Sequence, residues 1–162
     1  MRRQVELLGL EFVPIYGSKR KGNFRERLVE RLKALGMEAG VFGDLQQREH
    51  RSFLEGVCSE LGIEALFPLW GRDEREVIEK VLRISKPIVV CRRIRKVPRR
   101  FLGRELSYEL VNYLAERGMP LSGEGGEYQS FVVRGEEFDM DVTFKRTIRR
   151  SLYECLDLEV VR

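Results

Sequence analysis

The segment Gly123-Glu124-Gly125-Gly126-Glu127-Tyr128 concentrates more chemistry than any other part of this sequence. Three glycines within four positions permit positive φ and leave backbone N–H groups bare, the makings of an anion nest. Two carboxylates in the same turn suit an ammonium group, a metal-bound phosphate or a proton in transit. A plain hairpin turn rarely needs that composition, so the segment is read as functional.

Three other segments could meet a ligand. Gly43-Asp44 follows the short apolar run Gly40–Phe42, and open α/β sheets bind ligands outside the C-terminal ends of their strands. Gly43 would let a ligand approach the backbone; Asp44 either caps the next helix or contacts a ribose hydroxyl. In Pro68–Asp73, Trp70 is the only tryptophan and either stacks on a ring or covers a sheet edge, while Arg72 and Asp73 pair or cap. Gly17–Gly22 has the glycine spacing of a P-loop, but Asn23-Phe24 stand where Lys-Ser/Thr must hold phosphate and magnesium. It is read as a solvated basic turn.

The run Arg92–Arg104 carries seven basic residues and no acid before Glu105. A solvated face is the plainer reading of such a run, and contact with RNA or an acidic protein surface is the alternative. His50 is the single histidine, which excludes most triad and histidine-rich metal mechanisms within one chain. Cys58, Cys91 and Cys155 are far apart and form no CxxC pair, so neither a disulfide framework nor a thiolate metal site is expected. Chemistry must then rest on carboxylates, glycine-built backbone sites, arginines and bound cofactors.

The elements that position these residues alternate. Phe12–Tyr16 reads as a strand, with Pro14 favouring an edge or end. Phe24, Leu28, Leu32 and Leu35 share one helical face, and Gly36 ends that helix. Gly40–Phe42 is a short strand, and Phe53, Leu54, Val57, Cys58 and Leu61 line a second helix. Glu64–Phe67 is a strand; Val77, Ile78, Val81 and Leu82 form the stripe of a third helix, with Asp73 and Glu76 spaced as a capping box. Pro87–Cys91 is a continuous apolar run of the kind found in parallel sheets.

After Cys91 the pattern turns basic and irregular, then gives a helix with Leu106, Leu110, Val111 and Leu114. The tail is partly β over Ser130–Val133, Phe138–Phe144 and Ser151–Val161. The expected fold is α/β: an incomplete Rossmann-like parallel sheet over residues 1–91, then a small mixed C-terminal subdomain, 92–162, that binds substrate. With 162 residues, 43% apolar and 35% charged, one independent core is feasible and wholesale disorder is excluded. No apolar run approaches the roughly 20 residues that span a bilayer, so the cytoplasm is the expected location and no membrane partner is expected.

Gly123–Val132 resembles the GEGGEYE[ST] hallmark of the diphthine–ammonia ligases, within the PP-loop ATP pyrophosphatases. Phe101–Leu106 is similar to that family's FLGR block, Leu66–Asp73 to its PLWGRD segment, and Val41–Asp44 to a strand ending in Gly-Asp or Gly-Ala. The resemblance implies a Rossmann-like adenine-nucleotide α-hydrolase domain and ATP-dependent amidation of diphthine on elongation factor 2, or of another carboxylate acceptor. ATP with magnesium would adenylate the carboxylate, and ammonia would attack the acyl-adenylate. It places Gly43 and Asp44 by the nucleotide. Glu124, Gly125, Gly126, Glu127 and Tyr128 would shape the substrate pocket, with Gly123, Trp70, Arg72 and Arg104 nearby.

The chain departs from the family pattern at its start. No SGGKDS occurs, and about the first fifty family residues have no counterpart. The chain alone is therefore expected not to turn over ATP: it is expected to be a ligase that is truncated, miscalled at its start, or completed by another polypeptide or a homodimer. The alternative is a degenerate binding module that contacts a translation factor, or RNA through Arg92–Arg104.

Overall fold

The computed structural model describes residues 1–15 and 24–161. In chain order the helices are α1 (Arg2–Leu7), α2 (Phe24–Leu35), α3 (Arg48–Leu61), α4 (Glu74–Ile84) and α5 (Tyr108–Ala115). The strands are β1 (Ala39–Val41), β2 (Glu64–Leu66), β3 (Lys86–Arg93), β4 (Tyr128–Arg134), β5 (Val142–Arg150) and β6 (Tyr153–Val160). A 3-10 turn covers Arg99–Phe101. The residues form two compact units, one of Val13–Arg72 and one of Met1–Phe12 with Asp73–Arg162.

The Val13–Arg72 unit is built on a βαβ step. β1 and β2 pair in parallel, Ala39 opposite Glu64 and Val41 opposite Leu66. Between them α3 buries Leu54, Val57 and Cys58, and burial raises the Cys58 thiol pKa. The helix stops at Gly62, whose left-handed backbone lets its N–H and that of Ile63 close on the carbonyls of Ser59 and Cys58. A side chain at Gly40 would stand 2.8 Å from the Phe42 ring, so β1 can lie close to its own following residue only as glycine. α2 contributes Phe24, stacked on Phe53 of α3 at 6.4 Å, and Arg25, paired with Glu60.

The larger unit is an antiparallel sheet in the order β4-β3-β6-β5, with helices over one face. Ile78 of α4, Val89 of β3, Tyr128 of β4 and Leu110, Val111 and Leu114 of α5 form its core with Val97, Phe101, Leu106 and Leu121. Asp73 caps α4 as expected: its Oδ1 accepts the Glu76 N–H at 2.9 Å. The α/β character and the parallel β1–β2 pair agree with a partial Rossmann-like fold.

Several local expectations are corrected. Pro87–Cys91 lies in an antiparallel sheet, with Pro87, Val89 and Cys91 buried and Ile88 and Val90 partly exposed; an apolar run leaves the pairing direction open. The two compact units divide at 12/13 and 72/73, and Cys91 lies within β3. Residues 12–15 form no strand, and Tyr16 lies outside the described residues. The second tail strand, expected over Phe138–Phe144, runs later, from Val142 to Arg150. It is an edge strand with exposed charged residues and little apolar alternation to reveal it.

Cys91 and Cys155 form a disulfide despite a separation of 64 residues. The antiparallel register of β3 and β6 sets them directly opposite each other, which spacing along the chain could not reveal. No helix among the described residues is long and apolar enough to cross a membrane.

Candidate functional site

Within the Val13–Arg72 unit, parallel pairing puts the C-terminal ends of β1 and β2 side by side. The loops that follow are joined by the Gly71 N–H, which donates to the Leu45 carbonyl at 3.0 Å. Gly43 is exposed, with nothing within 4 Å of where a Cβ would stand, so its backbone is open to close approach. Asp44 does not cap α3, whose N-cap is Gln47; its Oδ1 instead meets His50 Nδ1.

Trp70 is half-buried in an aromatic group. Its ring meets Phe67 edge-on at 6.3 Å, and Phe67 packs against Phe42 at 5.2 Å. The Arg51 guanidinium lies 4.6 Å from the Trp70 ring centre and 5.0 Å from that of Phe67, while its Nε donates to Glu55 at 2.7 Å. Arg72 Nε is turned back onto the Pro68 carbonyl at 3.1 Å. The structure therefore brings Gly43, Asp44, Trp70 and Arg72 onto neighbouring loops of one unit. Gly17–Gly22 lies outside the described residues.

In the other unit, the turn before β4 can be built only with glycine at several points. Gly126 N–H donates to the Gly123 carbonyl at 2.9 Å, and both residues have positive φ. A Cβ on Gly123 would lie 2.8 Å from the Tyr128 carbonyl, and one on Gly126 2.9 Å from the Tyr153 hydroxyl. A Cβ on Gly125 would stand 2.8 Å from both carboxyl oxygens of Glu127. These contacts explain the composition that marked the segment.

The turn is anchored at both ends. Ser122 donates through N–H and Oγ to Glu74 Oε1, at 2.8 and 2.5 Å, which ties it to the first turn of α4. The Tyr128 hydroxyl donates to the Leu121 carbonyl at 2.6 Å. Burial, followed by the nearby Glu74 and Glu127 carboxylates, pushes that phenol well above its ordinary range. The Glu124 N–H reaches Ser122 Oγ at 3.3 Å.

Glu127 is fully buried. Its Oε1 lies 2.7 Å from Lys96 Nζ, and its carbonyl accepts the Arg93 N–H at 2.8 Å. Its Oε2 has no hydrogen-bond partner among the described residues. A buried carboxyl oxygen left without a donor is costly, and Glu127 Oε2 is such an atom, closed off from solvent inside the turn.

Sequence reasoning missed Lys96 and Tyr153 as parts of this site. Lys96 could have been found only by knowing that the tight turn after β3 returns it to Glu127. Arg104 is exposed and lines a different, shallow cavity of about 460 Å³ with Arg100, Phe101, Glu105, Ser107 and Glu109. None of Gly123–Tyr128 lines that cavity.

The basic run is largely neutralised from within. Arg92 is buried against Glu154, Lys96 meets Glu127, Arg99 reaches Glu154 at 3.6 Å, and Arg100 reaches Glu109 at 3.3 Å. Among the described residues no group of three His, Cys, Asp or Glu side chains is arranged to hold a metal ion.

Residues 1–65 match the family model described as Diphthamide synthase N-terminal domain. The diphthine–ammonia ligases of Bos taurus and Homo sapiens are each 28% identical to this chain over 142 residues, covering 82% of it. The chain is a relative of the diphthine–ammonia ligases. It spans about half the length of the curated relatives it matches, 52% of each. A diphthine–ammonia ligase match over 82% of this chain must include its middle, and so both the Gly43 to Arg72 loops and the Gly123–Tyr128 turn.

Proposed function

We propose that this chain serves the ATP-dependent amidation of a carboxylate by ammonia, the diphthamide-forming step on elongation factor 2, in the cytoplasm. The observation that carries the reading is the turn Gly123–Tyr128, where close approaches demand glycine and a fully buried Glu127 keeps one oxygen without a donor. The name of the relatives, diphthine–ammonia ligase, supports the reaction class.

The nucleotide would supply the leaving group: the acceptor carboxylate takes up an adenylyl group, pyrophosphate departs, and ammonia then displaces AMP from the acyl carbon with loss of a proton. The open backbone at Gly43 fits a nucleotide, with Asp44 held by His50 as a hydrogen-bonding edge. Trp70, backed by Arg51, offers an aromatic surface, and Arg72 lies on the same loop. The acceptor would meet Glu124 and the glycine backbone, with the buried Glu127 fixed in place by Lys96. The carboxylates described here do not form a magnesium cage, so no step is routed through that ion.

The other reading, a non-catalytic module that binds RNA through Arg92–Arg104, has weaker support. Four of the seven basic side chains in that run already face an acid. The test is incubation of the purified chain with ATP, ammonium and elongation factor 2 carrying diphthine. No conversion is expected from the chain alone; in the presence of a completing polypeptide, conversion of the carboxylate to the amide, read by mass spectrometry together with AMP release, is the expected result. A second arm adds the chain to cells that lack their own diphthine–ammonia ligase. Failure in both arms, with RNA binding that weakens steeply with salt, would favour the module.

A further inference from the structure

We propose that the Cys91–Cys155 bond is a redox latch on the Gly123–Tyr128 turn, regulating the site assigned above and resting on that assignment only for its biological meaning. The β5–β6 hairpin joins the rest of its sheet through β3, and the described pairing there covers three positions. These are Cys91 opposite Cys155, Arg92 opposite Glu154 and Arg93 opposite Tyr153. One further bond, Ile94 N–H to the Leu152 carbonyl at 2.9 Å, extends the seam.

Each position in that seam leads to the turn. Tyr153 places its hydroxyl where only a glycine at 126 leaves room. Arg93 holds the Glu127 carbonyl through its N–H, and on its other side β3 pairs Arg92 with Tyr128 and Cys91 with Gln129. The strand that touches the disulfide is thus the strand that carries the turn. With the bond closed, β6 cannot slide or lift from β3, and Tyr153 stays against Gly126. With it open, three rows of pairing and the Arg92–Glu154 ion pair must hold the hairpin alone.

The switching chemistry is thiol–disulfide exchange with a small dithiol. A dithiol thiolate attacks one sulfur of the bond and displaces the other as thiolate, giving a mixed disulfide. The second thiol of the reductant then closes on its own sulfur. The chain gains two electrons and two protons as two cysteine thiols, and the reductant leaves as a cyclic disulfide. A low-molecular-weight disulfide reverses the step with the same balance. Cys155 is the less buried partner of the two.

The test uses the full chain, before and after dithiothreitol, and needs no catalytic assay. Alkylation under denaturing, non-reducing conditions should label Cys58 alone, and all three cysteines after reduction. Closing a 64-residue loop constrains the unfolded chain, so reduction should lower Tm by roughly 10 °C. Peptide-resolved hydrogen exchange should then be on the order of tenfold faster in Tyr153–Val160 and in Gly123–Tyr128.

The double variant C91S/C155S should match the reduced chain and ignore dithiol. Should it fail to fold, the reduced wild-type chain supplies the same comparison. Three labelled thiols without reduction would overturn the proposal. So would a reduced chain that melts earlier yet keeps full protection at Gly123–Tyr128, since that describes a staple and not a latch. Either failure leaves the ligase reading untouched, because neither measurement involves turnover.

Discussion

Glu154→Ala removes the counter-charge from a guanidinium that has almost no water around it. Arg92 is 7% exposed and Glu154 6%. Arg92 Nε and Nη2 bind Glu154 Oε2 at 2.8 and 2.6 Å, and Arg92 Nη1 donates to the carbonyls of Ile94 and Val97 at 3.1 and 2.6 Å. The substitution deletes two charge-assisted bonds and leaves a buried cation with two carbonyls. The expected loss is about 3–5 kcal/mol, the cost of stranding one member of a buried pair.

Arg99, which also reaches Glu154, is 72% exposed at its side chain and adds little. Replacing both members, Arg92→Met with Glu154→Leu, should cost less than Glu154→Ala. It strands no charge and leaves only the Ile94 and Val97 carbonyls short of a donor, about 1–3 kcal/mol. Urea unfolding of the oxidised wild type, Arg92→Met, Glu154→Leu and their double variant, beside Glu154→Ala, with constant m-values, measures the coupling. A loss below about 1 kcal/mol for Glu154→Ala would refute the reasoning, because it would mean water reaches the pair.

Gly126→Ala should destabilise the chain by about 1–2 kcal/mol, since its φ is +75° and the new methyl group meets the Tyr153 hydroxyl; a Tm shift of under a degree would contradict this. Tyr128→Phe should cost about 1 kcal/mol by leaving the buried Leu121 carbonyl without its donor. The same variant should change the alkaline limb. The folded phenol is raised, so its contribution is fully present below the unfolded value, roughly pH 10, and is lost as pH climbs toward the folded one. Wild-type Tm should therefore fall above about pH 10 more steeply than that of the variant. Arg51→Ala should remove the cation over Trp70, change the emission of the only tryptophan, and cost about 0.5–1 kcal/mol; unchanged emission would argue against the stack.

The parts of the fold legible in the sequence were those set by neighbours within a few residues. The stripe Phe24, Leu28, Leu32, Leu35 gave α2 its extent, and Asp73 with Glu76 gave the start of α4. The glycines at 123, 125 and 126 pointed to their turn because the close approaches that demand them involve residues inside the motif or one strand away. What escaped depends on partners distant in sequence. An apolar β3 says that it lies inside a sheet, and nothing about whether its neighbours run parallel or antiparallel. Lys96 reads as one charge in a basic run until Glu127, 31 residues later, is brought onto it. Cys91 and Cys155 look like isolated thiols until β6 comes back beside β3.

The outer edge of the sheet carries a consequence for crowded solution. β5 ends the order β4-β3-β6-β5, so one side of its backbone has no strand partner within the described residues and could template pairing with another copy. Lys145, Arg146, Arg149 and Arg150 stand along it, with no acid in the strand, and only the first two are matched by Glu159 and Asp157 of β6. Two copies meeting edge to edge would bring positive rows together before any backbone bond could form. Like-charge repulsion thus guards this edge against strand-by-strand aggregation, and added salt or a polyanion weakens the guard while leaving the fold itself intact.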